Sequence, residues 1–367
     1  MKLLAILHDQ YRALAAGKIF WVVLVLSGLV VAAFGAVGIN KTGLTVLWWE
    51  FDAIFNTSLL TPATFYKLVF VNVGIKFWLA WIASILALIS TASIIPEFIS
   101  SGAIELTLSK PISRVKLYFT KFLAGLLFVT LQVGVFTTAA FLVIGVRGGT
   151  WEPGLFWAVP YTVLFFSYLF SMCALLGLLT RSSLAALLLT FLFWFVLFGV
   201  NATEQSLHYF KTGYALQVEK VESWVEAAEQ KVQGPGQSEE AIERSKKELA
   251  TKQTQLERYR AKAGGMGRWH GYFHGVKSVM PKSSETIELL QRTLVSEADL
   301  EPLAASGNDG QGGFFSRGEV PVSEREIQKR LAASIASRSF GWIVGTSLVF
   351  EAVVLGIGAL VFRRRDF

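Results

Sequence analysis

The chain has 367 residues, 53% of them hydrophobic and 13% aromatic, and a formal net charge of +7. Nineteen of its 34 Lys and Arg and nineteen of its 27 Asp and Glu fall between Asn201 and Ser339, so the whole charge excess sits in the apolar remainder, 15 bases against 8 acids. This distribution excludes an ordinary soluble enzyme and a nucleic-acid binder. It describes an all-α, polytopic membrane protein with one soluble insert, in which basic residues report on membrane orientation.

At the amino end, MKLLAILHDQYRALAAGK sets Leu3, Leu7, Tyr11 and Leu14 on one helical face, which predicts an amphipathic helix along the inner membrane surface. A helix needs about 20 apolar residues to cross roughly 30 Å of hydrocarbon. Six windows meet or approach this length: 19–38, 72–95, 121–146, 156–180, 183–200 and 340–362. The first is too long for the core of a cleaved signal peptide and reads as a retained anchor. The organisation is therefore residues 1–200 with five spans, an insert over 201–339, and a last span with a basic tail over 340–367. With both termini inside, the inner flanks carry Lys2, Arg12, Lys18, Lys110, Arg114, Lys116, Lys121, Arg181 and Arg363 to Arg365, against Lys41, Lys67, Lys76 and Arg147 outside. Eleven bases against four place the insert on the outer side. Trp21, Trp78, Trp157 and Trp342 lie near span ends, as interfacial rings do. The single cysteine, Cys173, falls within a span and reads as a small buried hydrophobe.

Between spans two and three, PEFISSGAIELTLSKPISR interrupts the apolar pattern. Pro96 suits a first helical turn, Glu97 complements its positive end, and Ile99, Ala103 and Leu106 share a face. Gly102 permits a bend and Pro111 marks a break before Arg114 and Lys116. A short charged helix with one apolar side suits insertion into a groove on a soluble partner.

In the insert, Val218, Val221, Val225, Ala228 and Val232 form a heptad seam, QGPGQ breaks it, and Ser238 with Glu239 and Glu240 opens a second helix carrying Ile242, Leu249 and Leu256. This predicts an antiparallel helical hairpin over 215–262, about five turns per arm, read as a spacer or a partner-binding arm. In RWHGYFH, Gly271 and Gly275 argue against regular helix, and no acid or thiol lies near His270 and His274 in sequence, so no metal ligand is assigned. PKSSETIELLQRTL predicts a short capped helix, GNDGQGG a linker, and SEREIQKRLAASIASR a helix with a Ser323–Glu326 capping box feeding the last span.

No Gly-rich phosphate loop occurs: Gly17-Lys18 lacks the upstream glycine, and no pattern of catalytic residues or cofactor ligands appears. Glu351, near mid-span, is the intramembrane polar candidate, with proton coupling or substrate contact as roles and a hydrogen bond to Gln132, Thr137 or Thr138 as the structural alternative.

Glu97, Gly102, Glu105, Leu106, Pro111, Arg114 and Lys121 resemble the segment after the second span in ABC-2 type transporter permeases, where an acid, a glycine, a basic-Pro-x-x-Arg turn and a later lysine recur. The resemblance implies that this segment is a coupling helix docking on a cytoplasmic ABC ATPase subunit, with Glu97, Gly102, Glu105, Pro111 and Arg114 at the contact. It further implies that ATP-Mg is held by that partner, and that the permease acts as a homo- or heterodimer in the inner, cytoplasmic membrane. The family carries short re-entrant or interfacial helices between spans five and six; this chain has the hairpin there, with the helix at Thr286 to Leu294 as the counterpart of that element. Two other readings stay open: a non-transporting scaffold recruiting a partner through the hairpin, and a proton-coupled carrier using Glu351.

Overall fold

The computed structural model describes residues 12, 17–52, 56–57, 60–100, 113–234, 238–295 and 313–365. The predicted amino-terminal helix apart from Arg12, Gly17 and Lys18, residues 101–112 of the charged block, and residues 307–312 of the GNDGQGG linker lie outside the described residues. Among the described residues, six helices are long and apolar enough to cross a membrane, which makes this a multi-pass membrane protein. The chain divides into two compact units. One comprises Met1–Leu197, Met280–Ser306 and Phe340–Phe367, the other Phe198–Val279 and Gly307–Ser339.

In the first unit, α1 (Lys18–Ala36) leads into three short strands, β1 (Val37–Ile39), β2 (Gly43–Val46) and β3 (Trp49–Asp52). The second crossing covers Pro62–Ile99. It is built from α2 (Pro62–Val69), a widely wound π segment (Phe70–Ala83), α3 (Ser84–Thr91) and α4 (Ile94–Ser100). Then come α5 (Arg114–Gly148), a 3-10 turn (Pro153–Trp157), α6 (Ala158–Thr180), the apolar start of α7 (Ser183–Gln233), α9 (Ser283–Leu294) and α11 (Phe340–Arg364). Helix ends follow local chemistry. Thr61 caps α2 by accepting from the Thr64 N–H, with Pro62 in the first turn. Ser113 caps α5 by accepting from the Lys116 N–H, and Gly149, at φ 69°, closes it in the left-handed conformation.

The strands depart from an all-α expectation. Their cause is local: Asn40 Oδ1 accepts from the Thr42 and Gly43 N–H groups at 3.1 and 2.8 Å and turns the chain, and GLTV and WEFD supply β-branched and aromatic residues. The sheet is antiparallel in the order β1-β2-β3, with Gly38 opposite Thr45 and Leu44 opposite Phe51. Tyr66 Oη donates to the Val37 carbonyl at 2.7 Å and ties β1 to α2.

Packing of the crossings rests on small residues and aromatic stacks, as expected where lipid removes the hydrophobic drive between helices. Phe122 of α5 stacks on Phe170 of α6 at 5.2 Å and 10°, and Phe170 on Phe166 at 5.5 Å and 21°. Phe20 of α1 meets Phe128 of α5 at 5.4 Å, and Tyr118 of α5 meets Phe362 of α11 at 5.8 Å. Helix α9 buries Ile287, Leu289, Leu290 and Leu294 and packs on α6 and α11, so it joins the membrane helices although it lies within the charged stretch of sequence.

In the second unit, the polar continuation of α7 and α8 (Glu239–Val279) form the arms, with α10 (Glu324–Ala336) and residues 313–322 packed against them. The predicted seam is buried at Val221, Val225 and Ala228, and Leu256 and Tyr259 answer from α8. The predicted break at Gly271 and Gly275 does not occur: α8 runs unbroken to Val279 through five glycines. Each costs about 1 kcal/mol of helix propensity relative to alanine, a penalty met here by the buried anchors Leu256, Tyr259, His270 and Lys277 along the same helix.

Arg330 of α10 grips Glu219 of α7 with two parallel bonds, 2.6 and 2.7 Å, and hydrogen bonding from that guanidinium lowers the Glu219 carboxyl below its usual 4.5. A depressed folded-state value means that the stabilisation is present above about pH 4.5 and is lost as pH falls through the folded-state value. The penalty of Arg330→Gln on unfolding is therefore expected to be smaller at about pH 3 than at about pH 7. Chemical denaturation of both chains at the two pH values measures it; equal penalties at both would contradict the assignment.

Candidate functional site

Three arrangements of polar side chains stand out. The first surrounds the start of the charged block. In α4, Ile94, Ile95, Pro96 and Phe98 are buried and Ile99 is half-buried, while Glu97 alone between 94 and 99 is exposed. The burial has specific causes. Pro96 fits against Gly177, where an added Cβ would come within 3.1 Å of the proline Cγ, and Lys121 Nζ lies 4.6 Å above the Phe98 ring. Arg114, at the start of α5, donates to the carbonyls of Arg365 at 2.7 Å and Arg363 at 3.4 Å. Arg365 in turn donates to the carbonyls of Leu178 and Leu179. Two arginines thus satisfy carbonyls at the ends of α6 and α11. Of the five residues expected at a partner contact, Glu97 and Arg114 are described; Gly102, Glu105 and Pro111 lie outside the described residues.

The second arrangement is Glu351 of α11. It is buried, and Ser167 Oγ of α6 donates to its Oε2 at 2.9 Å. The expected hydrogen-bond partners Gln132, Thr137 and Thr138 lie on α5; the one found is on α6, which α11 also packs against. A few residues before it, Ser347 Oγ accepts from the Lys282 N–H at 2.9 Å, fixing the start of α9 to α11.

The third lies in the second unit and was not assembled from the sequence. Glu204, just past the apolar part of α7, has a side chain 1% exposed. Lys277 of α8 donates to its Oε2 at 2.9 Å and to Asn201 Oδ1 at 2.6 Å, and Arg338 donates to its Oε1 at 2.8 Å. Burial alone would raise the Glu204 carboxyl, but Lys277 and Arg338 outweigh it and hold it at about 2. His270 Nε2 and His274 Nδ1 stand 3.4 and 3.6 Å from the same Oε1, and the His208 ring is 4.9 Å from that of His270. Burial, reinforced by the neighbouring His270, pushes His208 down to about 4; burial and then Lys211 lower His270. Both rings are therefore neutral near pH 7, with a lone pair available. His270, His274 and Lys277 are spaced four and three apart. That stripe was readable in the sequence, had the glycines beside it not suggested an irregular backbone.

One family model matches this chain, over residues 21–216, and its description is "Protein of unknown function (DUF2705)". Glu97, Arg114 and Glu204 fall within the matched stretch, and Glu351, His270 and His274 beyond it. No curated protein and no solved structure matches.

Proposed function

Starting from the chain's membership of the DUF2705 family, to which no function is attached, we propose that it is the permease subunit of an ATP-binding-cassette exporter of the ABC-2 type. It works as a dimer, of identical or mixed chains, in the cytoplasmic membrane with both termini inside, and it is energised by a separate cytoplasmic ATPase subunit. The partner's ATP-Mg supplies the energy; this chain receives it as movement. The observation that carries the reading is Glu97, the one exposed side chain of a turn whose neighbours are packed into the helix bundle. A load applied at such a residue is passed to α6 through Pro96 on Gly177 and to α5 through Phe98 and Lys121. Packed helices transmit displacement because close-packed interfaces do not deform continuously. Arg114, bonded to the end of α11, adds the last span to the same rigid end.

The test is co-purification of this chain with a cytoplasmic ABC ATPase co-expressed with it. Charge reversal at a docking contact costs at least about 1.4 kcal/mol, a tenfold loss of affinity, so Glu97→Arg is expected to reduce ATPase recovery about tenfold or more while leaving the permease folded. Deleting residues 215–262 should leave recovery unchanged. Normal ATPase binding by Glu97→Arg would sink the docking assignment.

A further inference from the structure

Three of the four histidines in the chain gather around one buried carboxylate. We propose that Glu204, His270 and His274 bind one divalent transition-metal ion of the zinc class, and that the ion displaces Arg338 from the Glu204 carboxylate. The site stands independently of the exporter reading.

Geometry carries the argument. An ion bound tetrahedrally at about 2.0–2.1 Å holds its ligand atoms about 3.4 Å apart. His270 Nε2 lies 3.4 Å and His274 Nδ1 3.6 Å from Glu204 Oε1, and the ligand atoms of the three residues all lie within 4.8 Å of one another. Two sides of the ligand triangle are thus already set. The histidines sit one helical turn apart on α8, so a single rigid element presents both. His270 is 9% exposed and its buried Nε2 makes no well-aligned hydrogen bond; the His274 side chain is 42% exposed although its Nδ1 is buried, so both ligand nitrogens face the interior beside Glu204.

Two imidazoles and one carboxylate suit zinc, cobalt or nickel, whereas calcium and magnesium prefer sets made of oxygen. The competing charges are explicit. Arg338 occupies Oε1 at 2.8 Å, Lys277 occupies Oε2 at 2.9 Å, and Lys211 lies in the electrostatic reach of His270. Only Arg338 stands on the oxygen that both histidines face. Lys277 stays on the other oxygen and orients the carboxylate from behind, as outer-shell partners do. Metal uptake therefore releases the side chain of Arg338, which lies between α10 and α11 in the chain.

The experiment uses the purified full chain without a histidine tag, in detergent, with Co2+ as the probe. A four-coordinate or five-coordinate nitrogen–oxygen site gives an intense visible d–d band that free aqueous Co2+ lacks. The expected result is one Co2+ per chain with that band, displaced by Zn2+. His274→Ala should weaken binding at least about tenfold, and Arg338→Met should tighten it by about tenfold, in the range by which metal-site partners act. A wild-type spectrum no different from aqueous Co2+ would overturn the site without any variant. So would a band retained in the double variant His270→Ala, His274→Ala. Unchanged affinity in Arg338→Met would overturn the displacement.

Discussion

Glu204→Ala is expected to destabilise the unit formed by residues 198–279 and 307–339 by about 3–5 kcal/mol, because it removes the carboxylate that two largely buried cations share. Lys277 and Arg338 have side chains only 6% and 14% exposed, and both bond to this one carboxylate. Removing the anion leaves two desolvated charges with their mutual repulsion, which is the expensive way to break a buried pair. Lys277 keeps its bond to Asn201. Thermal unfolding of the purified chain, together with tryptic release of the 238–279 arm, reads the effect directly. A further comparison separates charge from packing. Replacing all three groups at once, Glu204→Leu with Lys277→Met and Arg338→Met, should recover most of the loss, since apolar replacement of a whole buried ion cluster is often neutral or stabilising. An unaltered unfolding midpoint in Glu204→Ala would show that the carboxylate does not hold the arms together.

Gly125→Ala should be nearly as damaging in the other unit. A Cβ at this position would lie 2.5 Å from Phe170 Cε1 and 2.7 Å from Cζ. The ring is hindered from stepping aside, because both Phe122 and Phe166 stack against it. Overpacking of this kind costs about 1–3 kcal/mol for one methyl group and more for larger side chains. Gly134, two and a half turns further along α5, has no atom within 4 Å of the equivalent position. There the same substitution gains helix propensity, up to about 1 kcal/mol, and meets no obstacle. The pair is its own control: in detergent, thermal midpoints should fall for Gly125→Ala and hold or rise for Gly134→Ala. If both shift alike, the crossing of α5 and α6 is not set by the missing side chain.

What was legible in the sequence was whatever a single element decides alone. The apolar runs at 19–38, 121–146 and 340–362 need no partner to be recognised; the last two each fall within one helix, and the first does so as far as Ala36, where β1 begins. The seam at Val221 and Val225 was readable for the same reason, since its spacing belongs to one helix. Contacts between distant stretches were not readable. Glu204 and Lys277 are separated by an entire hairpin, and nothing in the local pattern of either announces the other. The partner of Glu351 depends on which of the helices packed against α11 turns a hydroxyl toward it, and Ser167 of α6 does so. The glycines of α8 mislead because propensity is a local quantity, while the helix is held by side chains that meet residues far away in the chain. The strands at 37–52 were not anticipated: Asn40 turns the chain, but short strands pair only where the ends of α1 and α2 bring them together.

The wide winding of Phe70–Ala83 changes how the second crossing measures the bilayer. Thirty-eight residues of regular helix would run about 57 Å, nearly twice the roughly 30 Å of hydrocarbon. Regular winding would demand a steep tilt or long overhanging ends. In the π segment each turn holds more residues, as Ser84 records by bonding through both its N–H and its hydroxyl to the carbonyl of Leu79, five residues back. Buried positions then recur every four residues, at Phe70, Gly74 and Trp78 and at Val71, Ile75 and Leu79, so one side of the helix stays turned inward along the whole stretch. With a lower rise per residue, these 14 residues occupy a few ångström less height than regular helix would. A change between wide and regular winding would alter the height of this crossing while leaving its sequence and its neighbours in place.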